Sequence, residues 1–427
     1  MTSPQPMKIL QVSSRLPYPL TDGGAIGIYN ITKALAHAGH AVTLVTFPLE
    51  SQALTEQALR DLSRFATVRL APKPMPSRMR ALLASTFRGA YPIERRMMPE
   101  MFALLKDLLS TEHFDVVHAD TSHVGRYALW LRDTYHLPVV LRMHNFETAL
   151  YERYAAARKD PLRRAVASLH ARRLRREEAH FLSTVEAVAA ISDEDVRAMQ
   201  QLAPAGHYHV IPAGIDTEYF SPASLEQATL PDALLEADGT LGERILSLGS
   251  MEWDPNFEGV KHFLDTIFPM IREARPGVRF DIVGGSPERI RPFAAPFGGA
   301  VRVHGRVPDV RPYLRASRLL VVPLGVGGGM RVKILEFFAT GKPVVSTPIG
   351  AEGNRGVSGT HLFIAETDKT FANGVIDLLS DPGLRGRIGG NARALAVSEY
   401  SWETVGRAYS ELYRSVVAET GLRHGRS

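Results

Sequence analysis

The chain of 427 residues contains no cysteine, which excludes disulfide bonds, thiolate metal sites and a thiol nucleophile. It has no run of 18 or more apolar residues, the length that a membrane-spanning helix requires. The first residues, MTSPQPMK, lack the apolar core of a secretory signal peptide. We therefore expect a cytoplasmic protein. Its length and its 45% of hydrophobic residues indicate two domains rather than one core.

Short apolar runs alternate with helical patterns in both halves of the chain, which predicts parallel sheets covered by helices. The predicted strands are 8–13, 41–47, 68–71, 115–119, 138–143, 187–191 and 208–211 in the first half, and 245–248, 280–283, 301–304, 319–322, 344–346 and 362–365 in the second. A polar stretch, 211–242, is typical of a linker. The fold class is thus α/β, with two doubly wound parallel sheets whose ligands bind at the carboxyl ends of the strands.

Residues 321–347, VVPLGVGGGMRVKILEFFATGKPVVST, contain a strand, a glycine-rich loop, a helix and a second strand. The glycines allow positive φ angles and let a ligand approach the backbone. Arg331 and Lys333 lie in the first helical turn, where cations are unfavourable unless an anion binds between them and the free N–H groups. This pattern predicts a phosphate or diphosphate site, with Glu336 near the hydroxyls of a sugar or ribose. The alternative is a glycine-rich turn with solvated charges.

The helix of this stretch is predicted to begin at Met330, and Gly341 is a natural residue to end it. Its periodicity places Val332, Leu335 and Ala339 on the face that packs against a sheet.

Polar residues follow predicted strands in the first half. Gly24 lies in a loop after strand 8–13, but the loop has no GxGxxG motif and no acidic residue ends the second strand, which argues against a nicotinamide cofactor. His144 and Asn145 directly follow strand 138–143, and His118 is read as the end of strand 115–119. Each histidine is a candidate ligand contact. The alternative for His144 is a histidine that only caps a strand end by hydrogen bonding, and His118 is the competing candidate.

Two segments are rich in arginine, and we expect them to contact an anionic membrane surface or a lipid-linked substrate. The first segment, 76–98, carries Arg78, Arg80, Arg88, Arg95 and Arg96; the second, 151–176, carries Arg153, Arg158, Lys159, Arg163, Arg164, Arg172, Arg173, Arg175 and Arg176. Neither segment has the aromatic interleaving or the recognition motif of a nucleic-acid-binding protein. The alternative is a solvated helix face.

The chain resembles the retaining glycosyltransferases of family 4, and within them a subgroup associated with exopolysaccharide and surface-glycan assembly. The resemblance covers nearly the whole chain. It rests on the glycine pair 23–24, His144, VIPAGID at 210–216, LGSMEWDPN at 248–256, HGRVPDVRPYL at 304–314, residues 327–347 and YSWETV at 400–405. It implies the GT-B architecture, in which two Rossmann-like domains face a central cleft. The implied parts are an acceptor-binding domain at 1–214, a nucleotide-sugar-binding domain at 215–400, and a helix with a basic tail at 401–427 that crosses back.

The chain departs from the family pattern at two places. The family usually has two glutamates separated by seven residues; Glu336 matches the second, but the first position is occupied by Gly328. The family's usual arginine and lysine after the first strand of the second domain correspond here to Ser250 and Pro255. We expect the two cations of the 321–347 helix to replace the charge lost there.

The resemblance implies transfer of a sugar from a nucleotide-diphosphate sugar to a lipid-linked or polysaccharide acceptor, with retention of configuration. It gives His144 a contact with the donor sugar and Glu336 a contact with the ribose. The implied nucleotide-sugar-binding set is Gly24, Gly249, Ser250, Arg306, Val307, Gly328, Gly329, Met330, Arg331, Val332, Lys333 and Glu336, and the further contacts are His118, Arg142 and Asn145. We see no DxD-like pair, so no metal is expected. The expected co-substrate is the nucleotide sugar, with no other cofactor and no nucleic-acid partner, and the expected location is the cytoplasm or the inner face of the membrane.

Three other functions stay open from the sequence. A sugar-nucleotide epimerase with the same fold needs carboxylate acid–base pairs, which we do not locate. A glycan-assembly protein that binds nucleotide without turnover is suggested by Gly328. A membrane-bound scaffold would rest on the basic segments alone.

Overall fold

The computed structural model describes residues 5–20, 23–72, 89–156, 160–236, 238–327 and 329–424. The chain divides into two compact units. Unit 1 consists of Met1–Gly214 together with Trp402–Ser427, and unit 2 consists of Ile215–Ser401. Each unit is built around its own parallel sheet.

Unit 1 contains a seven-stranded sheet in the order β3-β2-β1-β4-β5-β6-β7. Its strands are β1 Lys8–Ser13, β2 Ala41–Thr46, β3 Thr67–Leu70, β4 Val116–Asp120, β5 Val139–Met143, β6 Ala187–Ala190 and β7 Tyr208–Val210. Ile9 pairs with Val42 on one side and with Val116 on the other, so the strand order reverses at β1 and β4. Such a reversal opens a crevice at the carboxyl ends of the strands.

Nine described helices belong to unit 1. They are α1 Gly23–His37, α2 Gln52–Leu62, α3 Tyr91–Glu94, α4 Pro99–Thr111, α5 Gly125–Tyr135, α6 Glu147–Ala156, α7 Pro161–Thr184, α8 Asp193–Leu202 and the terminal α17 Trp402–His424. Helix α17 packs on α1, where Gly406 lets the two backbones approach at Ala34. Its residues Val405 and Tyr409 join the apolar cluster that covers one face of the sheet at Ile9.

Unit 2 contains a six-stranded sheet in the order β10-β9-β8-β11-β12-β13. Its strands are β8 Arg244–Leu248, β9 Arg279–Val283, β10 Val301–Gly305, β11 Leu319–Val322, β12 Val344–Ser346 and β13 Phe363–Ile364. Its described helices are α9 Pro222–Glu226, α10 Asp254–His262, α11 Phe268–Ala274, α12 Arg291–Ala294, α13 Arg311–Ala316, α14 Val332–Ala339, α15 Asp368–Ser380 and α16 Pro382–Tyr400. Separate apolar clusters bury the two faces of the sheet.

The predicted α/β class and all thirteen predicted strands are confirmed. Helix α1 begins at Gly23, so Gly24 lies in its first turn and not in a loop. Helix α14 begins at Val332 rather than Met330, and Val332 is exposed, so the prediction that it packs on the sheet is wrong. The stretch 211–242 is no free linker, because most of it folds with unit 2 and buries Leu225 and Leu234.

Candidate functional site

Glycine turns follow three adjacent strands of unit 2 and bring their backbones together. Gly249 follows β8 with φ 146°, and Gly284 follows β9 with φ 157°. A Cβ atom on Gly284 would overlap the backbone oxygen of Gly249. The amide of Gly284 also donates to the carbonyl of Gly305 at 2.8 Å, and this bond joins the turn after β9 to the end of β10. Only glycine permits such close contacts, so these turns form a tight edge at the carboxyl ends of the strands.

Arg331 is the residue directly before helix α14, and its side chain is largely buried. The guanidinium lies over the Trp253 ring, with Cζ 5.2 Å from the ring centroid. A Cβ atom on Gly327, whose φ is 148°, would collide with Nη2 of Arg331. The glycine-rich loop therefore makes room for the guanidinium beside an aromatic ring, an arrangement that cation–π attraction favours.

Lys333 connects the start of α14 to the loop after β8. Its Nζ donates to the carbonyl oxygen of Leu248 and to Oδ1 of Asn256, both at 2.9 Å. The amide nitrogen of Asn256 donates in turn to the carbonyl of Ser250 at 3.1 Å. The pKa of Lys333 is lowered to about 8, chiefly by burial and also by nearby Arg331, against the opposing effect of Glu336. The ammonium therefore stays charged at neutral pH.

Glu336 lies one helical turn after Lys333 and is partly exposed. Burial raises the pKa of its carboxyl group to about 7, against the opposing effect of Lys333. A carboxyl group that ionises near neutral pH is a good acceptor for hydroxyl groups of a ligand. The predicted association of Arg331, Lys333 and Glu336 at this helix start is thus present in the fold.

The remaining predicted residues of unit 2 lie on the neighbouring loops. Gly329 has φ 80°, and Met330 lies against Gly353, whose added Cβ atom would come within 2.9 Å of the Met330 Cα. Arg306 is exposed after β10, whereas Val307 packs partly against the apolar core. Gly328 lies outside the described residues.

Arg142 orients His144 at the carboxyl end of β5 in unit 1. The buried guanidinium lies 3.4 Å from Nδ1 of His144 and 3.1 Å from a carboxylate oxygen of Asp120. Gly27 of helix α1 leaves space for it, because a Cβ there would lie 3.0 Å from Nη2 of Arg142. His144 is half-buried and Asn145 is exposed. Arg142 therefore supports His144 from inside the protein.

His118 lies within β4 and not at its end, because the strand continues to Asp120. The side chain is fully buried, with Nδ1 2.6 Å from the hydroxyl of Tyr413 in α17. Burial raises the pKa of Asp120, but His118, Arg142 and Gln11 outweigh it and hold that pKa well below its usual value. His118 is therefore a buried bridge between β4 and the terminal helix, and the structure does not bring it to the strand-end edge beside His144.

The sequence reasoning missed a second group of residues beside His144. Thr121, directly after β4, has φ 74°, an unfavourable conformation for a β-branched residue. His123 follows it, and Nε2 of His123 lies 3.8 Å from Oε2 of Glu147, the first residue of α6. Burial raises the pKa of Glu147 to about 7, with Glu178 adding to the rise and Arg96 opposing it. The sequence could have identified His123 and Glu147 by their position, since each shortly follows the carboxyl end of a central strand.

Within the part of the chain that the structure describes, no three histidine, aspartate or glutamate residues are grouped as metal ligands. Among the same residues, no helix combines the length and apolar character that crossing a bilayer requires.

Two family models match consecutive parts of the chain: Glycosyltransferase Family 4 at residues 21–219 and Glycosyl transferases group 1 at residues 242–381. An uncharacterized 44.6 kDa protein in the cps region of Klebsiella pneumoniae is 21% identical over 87% of this chain and 90% of its own length. The MMP alpha-(1->4)-mannosyltransferase of Mycolicibacterium hassiacum is 25% identical over 93% of this chain and 96% of its own length.

A solved structure of Anabaena Alr3699/HepE in complex with UDP-glucose has a similar fold. The TM-score is 0.63 at 16% identity, and the match covers 96% of this chain and all of the other.

Proposed function

We propose that this chain, which belongs to the family 4 type of glycosyltransferases and has the GT-B fold, transfers a sugar from a nucleoside diphosphate sugar to a glycan or lipid-linked acceptor with retention of configuration. The observation that carries the proposal is the start of helix α14. There Arg331 directly precedes the helix and Lys333 lies in its first turn, immediately after a glycine-rich loop.

The helix start supplies what a departing diphosphate requires. Free N–H groups and the positive end of the helix dipole attract an anion, and two cations add charge at the same place. Lys333 is charged at neutral pH, since its pKa is about 8. Binding of a diphosphate raises that pKa and so strengthens the interaction. We propose that these groups, rather than a divalent ion, offset the charge of the leaving group.

Glu336 and His144 are proposed to hold the two ends of the donor. The carboxylate of Glu336 accepts hydrogen bonds from the ribose hydroxyls, because its pKa of about 7 leaves it ionised once donors approach. His144 contacts the donor sugar in the orientation that Arg142 maintains. Retention follows if the acceptor attacks from the face that the diphosphate leaves, with a phosphate oxygen accepting the acceptor's proton.

The names of two relatives support the choice of acceptor. The relative from Klebsiella pneumoniae is named for its cps region, and one from Rhizobium meliloti is named a lipopolysaccharide core biosynthesis glycosyltransferase; this second one is 32% identical over 33% of this chain and 43% of its own length. We propose a surface-glycan precursor, carried by a lipid, as the acceptor.

Helices α6 and α7 present apolar side chains next to arginines. The exposed apolar side chains are Leu150, Tyr154, Val166 and Leu169, and the exposed arginines nearest to them in sequence are Arg153, Arg163, Arg164 and Arg172. Residues 157–159 between the helices, and 73–88 of the first basic segment, lie outside the described residues. This composition supports peripheral contact with the anionic inner leaflet.

Co-sedimentation tests this contact. We expect binding to vesicles that contain phosphatidylglycerol and little binding to phosphatidylcholine alone. The double variant Val166→Glu/Leu169→Glu should lose binding to the anionic vesicles without losing nucleotide affinity. Equal binding of the variant and the unmodified chain would contradict a contact through α7.

A thermal-shift screen against UDP, GDP, dTDP and their sugars tests the main proposal. A ligand that binds the folded chain raises its melting temperature by mass action, so a hit identifies the donor class. The matching nucleotide sugar is then incubated with octyl glycosides, and transfer is followed by mass spectrometry. Epimerisation without an acceptor would instead indicate an epimerase. Binding with no turnover would favour a nucleotide-binding assembly protein, which Gly328 in place of the family's glutamate makes a specific alternative.

A further inference from the structure

His123 and Glu147 have no role in the mechanism above, yet they lie beside His144. Both follow central strands of unit 1: His123 comes shortly after β4, and Glu147 comes shortly after β5. His144 is also near enough to lower the pKa of His123. The proposed function places His144 at the donor sugar, so this pair lies where the attacking group must approach.

The backbone that carries His123 is held in a strained conformation. Thr121 has φ 74° and ψ 157°, a conformation that residues with a Cβ atom rarely adopt and that is strained in them. The Thr121 hydroxyl accepts from the amide of His123 at 3.3 Å, and the Thr121 amide donates to the carbonyl of Arg142 at 2.9 Å. A strained backbone conformation that is held by surrounding contacts is typical of functional sites, where it fixes the direction of a side chain.

Glu147 and His123 are mostly enclosed but remain accessible. Their side chains are 12% and 14% exposed, respectively, and Nε2 of His123 lies 3.8 Å from Oε2 of Glu147. A second carboxylate, Glu178, lies beneath them and is fully engaged: it accepts from the Ser122 hydroxyl at 2.7 Å and from the amide and hydroxyl of Thr148 at 2.8 and 2.5 Å. Glu178 is therefore a structural anchor, and Glu147 is the carboxyl group that faces outward.

We propose that Glu147 and His123 bind a hydroxyl group of the sugar acceptor and position it beside His144. This inference rests on the proposed function for the acceptor's role, but not for the existence of the binding site.

The chemistry of the pair favours a hydroxyl group over other ligands. A carboxylate accepts a hydrogen bond from a hydroxyl, and a neutral imidazole donates one to it or accepts one from it. Burial keeps His123 neutral, because its pKa lies well below the usual value. An anion would be repelled by Glu147. Four charged or titratable groups lie around Glu147. Burial and Glu178 raise the pKa of its carboxyl group, and the cation Arg96 opposes that rise. His123 lies 3.8 Å away, and Tyr151 is close enough for Glu147 to raise its pKa.

The test measures binding of octyl β-D-glucopyranoside and octyl α-D-mannopyranoside by calorimetry and saturation-transfer NMR, using the full chain. Glu147→Gln keeps the shape of the side chain but removes the charged acceptor, and His123→Gln serves as a second variant. Glu152→Gln is the matched control, since Glu152 lies on the same helix, is exposed and pairs with Arg175 at 3.2 Å. UDP and GDP affinities are measured for every variant.

We expect at least one octyl glycoside to bind the unmodified chain and to bind Glu147→Gln about tenfold more weakly, as the loss of one hydrogen bond to a charged group requires. Glu152→Gln should bind like the unmodified chain. Monodeoxy glycosides, each lacking one hydroxyl group, identify the hydroxyl that Glu147 binds. One of them should bind the unmodified chain as weakly as the complete glycoside binds Glu147→Gln. The same monodeoxy glycoside should bind Glu147→Gln with no further loss of affinity.

The inference is overturned if neither glycoside binds, or if Glu147→Gln and His123→Gln bind the glycosides within twofold of the unmodified chain. It is also overturned if Glu147→Gln binds neither the glycosides nor UDP and GDP, because the substitution would then have damaged the protein in general. If the glycosides bind through Glu147 but no nucleotide binds the unmodified chain, the proposed function fails while the site stands.

Discussion

Replacement of Lys333 by methionine separates its role in binding from its role in the fold. The ammonium holds two acceptors, Leu248 O and Asn256 Oδ1, and each lost hydrogen bond costs about 1.5–3 kcal/mol. The pKa of about 8, lowered from 10.5, means that keeping the charge in this site at neutral pH costs about 3 kcal/mol. The two effects largely cancel, so we expect the melting temperature to change by only a few degrees.

Nucleotide binding should respond far more strongly than stability. A charge-assisted hydrogen bond to a phosphate oxygen contributes about 1.5–3 kcal/mol, which corresponds to a loss of about 10- to 150-fold in affinity for UDP or GDP. Calorimetry at pH 7 measures this loss directly. Arg331→Ala should weaken binding in the same direction, since its guanidinium borders the same loop.

Lys342 provides the matched control. It is also a partly buried lysine whose pKa falls to about 8 through loss of solvation, and its Nζ donates to the backbone carbonyls of Arg315 and Ser317. It lies beyond Gly341, past the opposite end of α14 from the glycine-rich loop. Lys342→Met should therefore alter stability about as much as Lys333→Met and leave nucleotide affinity unchanged.

A pH series adds a check on the sign. Because the folded-state pKa of Lys333 lies below its unfolded value, the unfolded chain binds more protons between about pH 8 and 10.5, and the Lys333 contribution to stability rises over that range. Lys333→Met should lack this contribution. If Lys333→Met bound UDP and GDP as tightly as the unmodified chain, or if Lys342→Met lost the same affinity, the assignment of the helix start as the diphosphate site would be wrong.

Three further predictions concern other residues. Nucleotide affinity should rise between pH 6 and 8 as the Glu336 carboxyl, with a pKa of about 7, ionises and accepts ribose hydroxyls, and calorimetry should find that this Glu336-dependent part of the rise is absent in Glu336→Gln. Gly284→Ala should lower the melting temperature and abolish binding, because the new Cβ overlaps a backbone oxygen of the loop after β8; Gly325→Ala, which meets nothing within 4 Å, should leave the fold intact. Asp120→Asn should lower the free energy of unfolding by about 3–5 kcal/mol in urea titrations, because buried Arg142 loses its carboxylate.

The strands were predictable because buried parallel strands consist of continuous apolar runs. All thirteen appear within two residues of the expected positions. Helix boundaries were less predictable. Val332 has the periodicity of a buried residue, but it is the first residue of α14 and its side chain is exposed. His118 was placed at a strand end because apolar character stops near it, whereas pairing of β4 with β1 and β5 extends the strand to Asp120.

The candidate site was predictable where its residues are close in sequence. Arg331, Lys333 and Glu336 share one helix start, so local spacing sufficed. The contact of Lys333 with Asn256 spans 77 residues. It depends on the close approach of α10 to the residues after β11, where Gly259 lies against the Pro323 carbonyl, and no local pattern encodes that approach. His123 and Glu147 were missed for the same reason, since the strand order that places β4 beside β5 brings them together.

The last helix gives unit 1 a split chain, with all of unit 2 inserted between Gly214 and Trp402. Tyr409, Tyr413 and Val416 complete an apolar layer that residues near the amino terminus begin. A ribosome therefore finishes the second sheet while one side of the first still lacks its cover. We therefore expect unit 2 to fold before unit 1 during translation. Until α17 emerges from the ribosome, one apolar face of the unit 1 sheet stays exposed and is available to chaperones.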